Sequence, residues 1–527
     1  MFRASVQRID ELAGLGDDPA APALIEAGRC LSYQALATAV GDATNLLSEL
    51  GVRAGDRVLI VNENCAAALV LVFAAARSDA WPVLVNARLS VREIDAICAH
   101  CTPRRAFFTS ESSREAAEHS VRLGGQPLSL DGVGEIAVTP RPAATNPEPV
   151  HGDPAKQIAM LLYTSGTTGQ PKGVMLSHAN LLFAARSGAT LRRLGAGDRV
   201  YAALPISHVF GLASVSFSAL LAGAALYLVP RFSAEGLARA LAEEGISVLP
   251  GVPAMYARLL DYLRESGNAL RAPRVRFLYA GGAPLDRELK AEVERVFEQP
   301  LHNGYGLTET SPTISSTRLD APRTDLSVGP PVPGIEIRIA AADGRLAVAD
   351  EVGELHIRGP NVMLGYYRAP ALTAEVLGED GWFNTGDLAR LDAQGNLYIV
   401  GRSKEVIIRS GFNVYPMEVE SVLNQHPSVS QSAVVGRQVA GNEEVVAYVE
   451  LRAGAEVTAD TLRAFTAERL APYKRPAEIV VLPSLPATST GKVLKSRLRE
   501  MAEMKGACAS KTDAPALGVT VQSRKTQ

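Results

Sequence analysis

Two stretches of the chain combine small hydroxyl residues, glycines and a lysine: YTSGTTGQPKG at 163–173 and PATSTGK at 486–492. A glycine-rich turn of this kind turns backbone N–H groups, hydroxyls and a cation toward one point, which is the physics of a phosphate cradle. The first stretch lacks Walker A spacing, because Gly166 would call for Gly-Lys at 171 and 172 and the chain has Pro171 and Lys172. About 320 residues separate the two lysines, so the chain must be folded to bring both to one reaction, or use them in two.

The elements that would position these loops show a βαβ rhythm. Leu36, Val40, Ala43, Leu47 and Leu50 fall at helical spacing. DRVLIVNEN follows as a short apolar run, AAALVLVFAAAR as a second helix and WPVLVN as a second run. Such alternation predicts parallel strands covered by helices, with ligands at the carboxyl ends of the strands. TPRPAATNPEPVHGDP, at 139–154, reads as a stiff, exposed connector. Beyond it, IAMLLYTS predicts a strand before the first lysine-bearing loop, and ANLLFAARSG a helix after VMLSH.

Bulk properties limit the chemistry. At 527 residues the chain is long enough for two to four domains, and its composition, 47% hydrophobic and 21% charged, is that of a globular protein. Lys and Arg total 53 against 56 Asp and Glu, a balance that argues against nucleic acid or an anionic membrane surface as partner. Five scattered cysteines do not make a disulfide framework, and no stretch reads as a secretory leader, so a cytoplasmic location is expected. CAHC, at 98–101, ends a helix-like VREIDAICAH without a second pair at zinc-finger spacing, so its cysteines read as structural. The apolar span 201–230 is broken by Pro205, His208, Gly211 and Gly223 and reads as a buried helix followed by a buried strand, not as a membrane span.

Three further stretches complete a pattern: YAGGAPL (279–285), NGYGLTET (303–310) and GWFNTGDLARLDAQGNLYIVGRSKEVIIRSGFNVYPMEVE (381–420). In this order, with the two lysine-bearing loops, they closely resemble the adenylate-forming superfamily of acyl-coenzyme A synthetases, peptide-synthetase adenylation domains and beetle luciferases, over about residues 10–500. The resemblance implies an α/β multidomain fold. A large N-terminal domain of α/β subdomains with a β-barrel-like part would span 1–403, a small α+β lid domain 404–505, and a disordered tail 506–527. It also implies two half-reactions: a carboxylate and ATP give acyl-adenylate and pyrophosphate, then a thiol, such as that of coenzyme A, takes the acyl group.

What the resemblance implies for single residues makes chemical sense. Attack of a carboxylate on a polyanion needs phosphate charge neutralised and the attack aligned. The loop matching Thr164, Ser165, Gly166, Thr167, Thr168, Gly169 and Lys172 wraps the β and γ phosphates, Thr308 contacts the α-phosphate, and Glu309 holds Mg²⁺, a hard ion suited to a carboxylate. Asp387 accepts from the ribose hydroxyls and Arg402 is a second ribose contact. The Tyr305 ring lies against the adenine, which Gly282, Ala283 and Pro284 border, and Asn303, Gly304 and Gly306 are nucleotide-binding positions beside it. Lys492 arrives on the small domain at the moment of adenylation and can leave afterwards, and its acetylation by a lysine acetyltransferase would remove that charge. Thus two lysine loops serve one reaction. The hinge position falls at Lys404, and Ser410 and Gly411 lie in the loop lining the pantetheine tunnel, where a glycine admits the thiol. Gly401 departs from the family, in which aspartate commonly precedes the arginine.

The acyl pocket would be lined by His208, which borders the carboxylate site, and by Phe210, Ser214, Tyr279, Gly281, Pro312 and Thr313. From Tyr201 to Ala234 there is no Asp or Glu to pair with an amino acid's ammonium, and the one firm cation, Arg231, lies beyond the pocket. The expectation is a coenzyme A ligase for an apolar aromatic, branched or medium-chain monocarboxylic acid, similar to 4-coumarate-coenzyme A ligases. The alternatives are an acyl-AMP ligase feeding a carrier protein, a luciferase-like oxygenase, or a nucleotide-binding regulator without turnover.

Overall fold

The computed structural model describes residues 5–26, 28–165, 171–439, 442–452, 454–487 and 493–512, with backbone only at 165 and 505–512. Gly166, Thr167, Thr168, Gly169, Lys492 and the tail from 513 lie outside the described residues. The chain divides into two compact units, a larger one running to Ile399 and a smaller one starting at Val400.

Apolar periodicity becomes structure in the first helix of the larger unit, Tyr33–Glu49. Ser32 caps it by accepting from the Ala35 N–H, and it buries Leu36, Val40, Ala43 and Leu47, with Leu50 at its C-cap. The helix Ala66–Arg77 is apolar all round, and every residue from Ala66 to Ala76 is buried. The strands Arg57–Asn62 and Trp81–Asn86 are buried along their whole length, as parallel strands covered on both faces must be.

Two eight-stranded sheets organise the larger unit. The first runs in the order Thr313–Ser316, Leu301–Gly306, Phe277–Ala280, Val248–Gly251, Arg199–Ala202, Ala225–Leu228, Pro22–Glu26, Arg29–Ser32. Its six inner strands are parallel, and its two edge strands antiparallel. In the second, Ile158–Ser165, Trp81–Asn86, Arg57–Asn62 and Arg105–Phe108 form a parallel centre. Its antiparallel flank includes the hairpin of Ile158–Ser165 with Pro171–Ser177, and Gly365–Tyr366 beyond it. A third sheet orders Glu336–Ala340, Gly353–Arg358, Phe383–Leu391 and Leu397–Arg402. It stands where a barrel-like part is expected; among the described residues it is an open four-stranded sheet.

The apolar span 201–230 contains the π-helix Phe210–Phe217, buried throughout, then the helix Ser218–Leu221 and the strand Ala225–Leu228. Among the described residues no helix is long and apolar enough to cross a membrane. Of the CAHC cysteines, Cys101 is buried, and burial pushes its thiol well above the ordinary range and that of Cys98 up to about 11.

The smaller unit packs the helices Pro416–Asn424 and Ala459–Ala467 beside the sheet of Val429–Val439, Asn442–Leu451 and Glu478–Leu482. Lys495, at the start of the helix Lys495–Thr512, pairs with Glu405 at 3.1 Å and Glu420 at 2.8 Å, tying the turn Ser403–Glu405 to the helix Pro416–Asn424. That last helix runs into the stretch read from the sequence as a tail.

Candidate active site

Because the inner strands of the first sheet are parallel, their carboxyl ends share one edge, where α/β sheets bind ligands. Three of the stretches singled out in the sequence follow those ends. Gly281, Gly282, Ala283 and Pro284 follow Phe277–Ala280, the 3-10 turn Thr308–Thr310 follows Leu301–Gly306, and His208 and the π-helix follow Arg199–Ala202.

The turn after Leu301–Gly306 is sharply built. Gly306 pairs with Thr313 of the antiparallel edge strand, and a Cβ at Gly306 would stand 1.3 Å from the Pro312 carbonyl oxygen, so only glycine fits. Thr310 Oγ1 donates to the Pro312 carbonyl at 2.9 Å, and Asn361 Nδ2 to the Thr313 carbonyl at 2.9 Å. Thr308 is thereby held buried, and Glu309 half-buried.

Glu309 does not stand alone. The Tyr366 hydroxyl donates to Glu309 Oε1 at 2.9 Å, and Lys172 Nζ lies 5.3 Å from the centroid of the Tyr366 ring. One tyrosine thus links the lysine of the first loop to the acid of the NGYGLTET stretch. Burial, reinforced by the Glu309 carboxylate, holds the Tyr366 phenol protonated far above its usual range, so it remains a donor. Thr164 stands directly opposite Lys172 in the hairpin, and Ser165 opposite Pro171. Close by in sequence, the Tyr305 hydroxyl donates to Asp387, which is 2% exposed, and the Asn303 side-chain amide donates to the Ser327 carbonyl.

A second cluster is almost wholly buried. The Phe210 and Tyr279 rings meet edge to face, centroids 5.8 Å apart, and a Cβ on Gly281 would touch both at 3.4 Å. A methyl group on Gly304 would stand 1.9 Å from the Tyr279 hydroxyl, which fixes where that hydroxyl lies. Phe277 stacks on Tyr279 from one side and on His302 from the other. Ser214, on the π-helix, accepts from Arg192, whose guanidinium carbon is 4.9 Å from the Tyr279 ring centroid. His208 is exposed, and its Nδ1 accepts from the Phe210 N–H at 3.2 Å, so it is no core histidine. Arg231 is engaged by Glu63, at 3.1 Å, and by Glu115. The cation of this cluster is Arg192, which lies outside the stretch 201–234 in which Arg231 is the one firm cation.

Arg402, Lys404, Ser410 and Gly411 belong to the smaller unit. Lys404 is exposed on the turn Ser403–Glu405. Ser410 and Gly411 form the two-residue turn between Ile407–Arg409 and Phe412–Val414, with φ of 53° and 82°. No atom lies within 4 Å of a Cβ built on Gly411, so its backbone conformation, not crowding, is what calls for glycine here.

Tyr366 and Arg192 are the two residues that sequence reading passes over. The only signal for Arg192 is its place just after the helix His178–Leu191, where a cation suits the helix dipole. Tyr366 carries no local signal, since its partner is 57 residues away.

Among the described residues no three His, Cys, Asp or Glu side chains form a metal cage. A lone carboxylate such as Glu309, with Tyr366 fixing one of its oxygens, fits a Mg²⁺ ion whose other ligands would be phosphate oxygens and water.

The AMP-binding enzyme family matches residues 15–367, and the AMP-binding enzyme C-terminal domain matches residues 418–492. The feruloyl-CoA synthase of Amycolatopsis sp is 34% identical over 91% of this chain and 96% of its own length. The indoleacetate–CoA ligase of Aromatoleum aromaticum is 34% identical over 94% of this chain and 98% of its own. The o-succinylbenzoate coenzyme A synthetase of Bacillus subtilis, in complex with ATP and a magnesium ion, superposes with a TM-score of 0.79 at 30% identity, covering 93% of this chain and 98% of that one. The chain belongs to the AMP-binding enzyme family, the ATP-dependent acyl-CoA ligases that use ATP, Mg²⁺ and coenzyme A and work through an acyl-AMP intermediate.

Proposed function

We propose that this ligase activates an aromatic carboxylic acid and passes it to coenzyme A. In the first half-reaction a carboxylate oxygen of the acid bonds to the α-phosphorus of ATP, and the bond from that phosphorus to the bridging oxygen breaks, releasing pyrophosphate. In the second, the thiol of coenzyme A bonds to the carbonyl carbon, AMP leaves with the electron pair, and the thiol proton goes to solvent.

The observation that carries the assignment is the Lys172–Tyr366–Glu309 chain. It sets a cation and a carboxylate on one tyrosine, as binding of a metal-complexed polyphosphate requires. Lys172 and the loop Thr164–Gly169 hold the β and γ phosphates, Thr308 the α-phosphate, and Glu309 would hold Mg²⁺, which supplies charge neutralisation of the phosphates. Asp387 takes the ribose hydroxyls, assisted by Arg402, while Asn303, Tyr305, Gly282, Ala283 and Pro284 bound the adenine. Lys492 contributes the cation that aligns the carboxylate with the α-phosphate. His208 borders the carboxylate, and Ser410 and Gly411 admit the pantetheine, with Lys404 as the hinge.

The aromatic assignment rests on the Phe210 and Tyr279 rings around Gly281 and on relatives named for feruloyl and indoleacetate substrates.

The test is a panel assay with ATP, Mg²⁺ and coenzyme A, offering benzoate, 4-coumarate, isovalerate, hexanoate, decanoate and malonate and following pyrophosphate, AMP and thioester. The expected result is coenzyme A-dependent AMP release, fastest with an aromatic acid. AMP without thioester would move the acceptor to a carrier protein or to oxygen, and a clear preference for decanoate would overturn the aromatic assignment.

A further inference from the structure

Arg192 is 5% exposed, yet the groups its guanidinium meets are neutral. Its Nη1 donates to the Ser214 carbonyl and its Nη2 to Ser214 Oγ at 2.6 Å, and its remaining partner is the Tyr279 side chain. Among the described residues no carboxylate pairs with it; the Ser214 carbonyl and hydroxyl and the Tyr279 side chain are what offset its burial. Of the three other buried Lys and Arg residues described in the same unit, Arg105 is satisfied by the Leu50 and Thr139 carbonyls, and two are treated differently. Lys290 is paired with Glu294, and Arg57 has Glu148 at 3.9 Å beside the carbonyls it binds. A guanidinium buried among neutral groups is costly and is kept where an anionic or polar partner completes it.

The surroundings are shaped for that partner. The hydroxyls of Ser216 and Ser218 are spent on carbonyls of the π-helix itself, those of Gly211 and Ala213. A Cβ on Gly188 would stand 3.1 Å from Arg192 Nη1, so the helix that Arg192 caps leaves the guanidinium its room. Tyr279 spans the cluster: its ring faces Phe210 and Gly281 as well as the Arg192 guanidinium. An acid whose ring lies along Phe210 and Tyr279 would point its far end at Arg192.

Resting on the ligase reading above, we infer that Arg192 is a specificity-determining residue that reads the far end of the acid. The preferred substrate carries an acceptor oxygen there, as a phenolic hydroxyl or a second carboxylate. Planar donors in a fixed fork suit either oxygen, and a site built around such a donor discriminates strongly against an analogue without the acceptor.

Three matched acids test this: cinnamate, 4-hydroxycinnamate and 4-carboxycinnamate, each with ATP, Mg²⁺ and coenzyme A, read as kcat/KM from AMP release. The wild-type enzyme is expected to favour at least one oxygenated acid over cinnamate by about 100-fold. Arg192→Met should bring that ratio near one while leaving the KM for ATP unchanged, and Arg192→Lys should retain part of it. The larger of the two ratios identifies the oxygen. Cinnamate turned over as well as both partners overturns the inference and leaves the ligase intact, as does an Arg192→Met enzyme slowed equally on all three. AMP release with no acid of any kind overturns the ligase reading itself, and this inference with it. Should Arg192→Met fail to fold, the wild-type ratio still decides, because a neutral pocket would favour cinnamate.

Discussion

The two ends of the site place their charges in opposite ways. At the Lys172–Tyr366–Glu309 end the charged groups are half-buried and held by one another through a tyrosine, so the protein carries both signs before any ligand arrives. At the Phe210–Tyr279 end Arg192 is buried among a ring and the hydroxyl and carbonyl of Ser214, and among the described residues no opposite charge accompanies it. The first arrangement suits a ligand that is the same in every turnover and brings its own metal. The second puts the burden of neutralisation on whichever acid enters, and so lets one side chain select among acids.

Substitutions should separate the ends cleanly. The largest effect is expected for Lys492→Ala, about 1,000-fold on adenylation with every acid, while thioester formation from supplied acyl-adenylate stays near wild type; equal loss in both half-reactions would remove Lys492 from the nucleotide end. Tyr366→Phe deprives Glu309 of its donor and should cost about 50-fold in kcat/KM for ATP at limiting Mg²⁺, again without reordering the acids. The acyl end has an acid-labile support. His302, stacked 4.8 Å from Phe277 and hydrogen-bonded to Thr317, is held at a pKa of about 4 by burial and then by Lys290, against an ordinary 6.5. With its folded pKa depressed, the unfolded chain takes up a proton first as pH falls. About 2 kcal/mol of stability should be lost between pH 7 and pH 5, and urea titrations of His302→Gln should show that limb flattened. The smallest effect is for Tyr279→Phe, which removes a hydroxyl partner of Arg192 and should shift the ratio of oxygenated to plain acid by about 10-fold; a change in the KM for ATP instead would blur the two ends into one.

How much of this could be read beforehand follows the same division. Glu309, Tyr305 and Thr308 sit in one short stretch because the Gly306–Pro312 contact and the turn after it constrain the backbone locally, and such constraints leave glycines in the sequence. Tyr366 and Arg192 act through partners that folding brings from a distance, 57 residues for one and 22 for the other, and neither has an unusual neighbourhood in the chain. In the fold, the run of buried strands and helices near the start was legible from apolar periodicity alone. That PKGVMLS returns as a hairpin partner, or that Pro22–Glu26 lies beside Ala225–Leu228, depends on packing between elements that no local pattern encodes.

The contact at Gly306 reaches from chemistry into heredity. Every amino acid other than glycine carries a Cβ, and at this position that atom would occupy the Pro312 carbonyl. No missense allele at codon 306 is therefore mild: a survey of random variants of this gene under selection for the ligase should return codon 306 with synonymous changes alone, even while surface codons a few positions away drift freely.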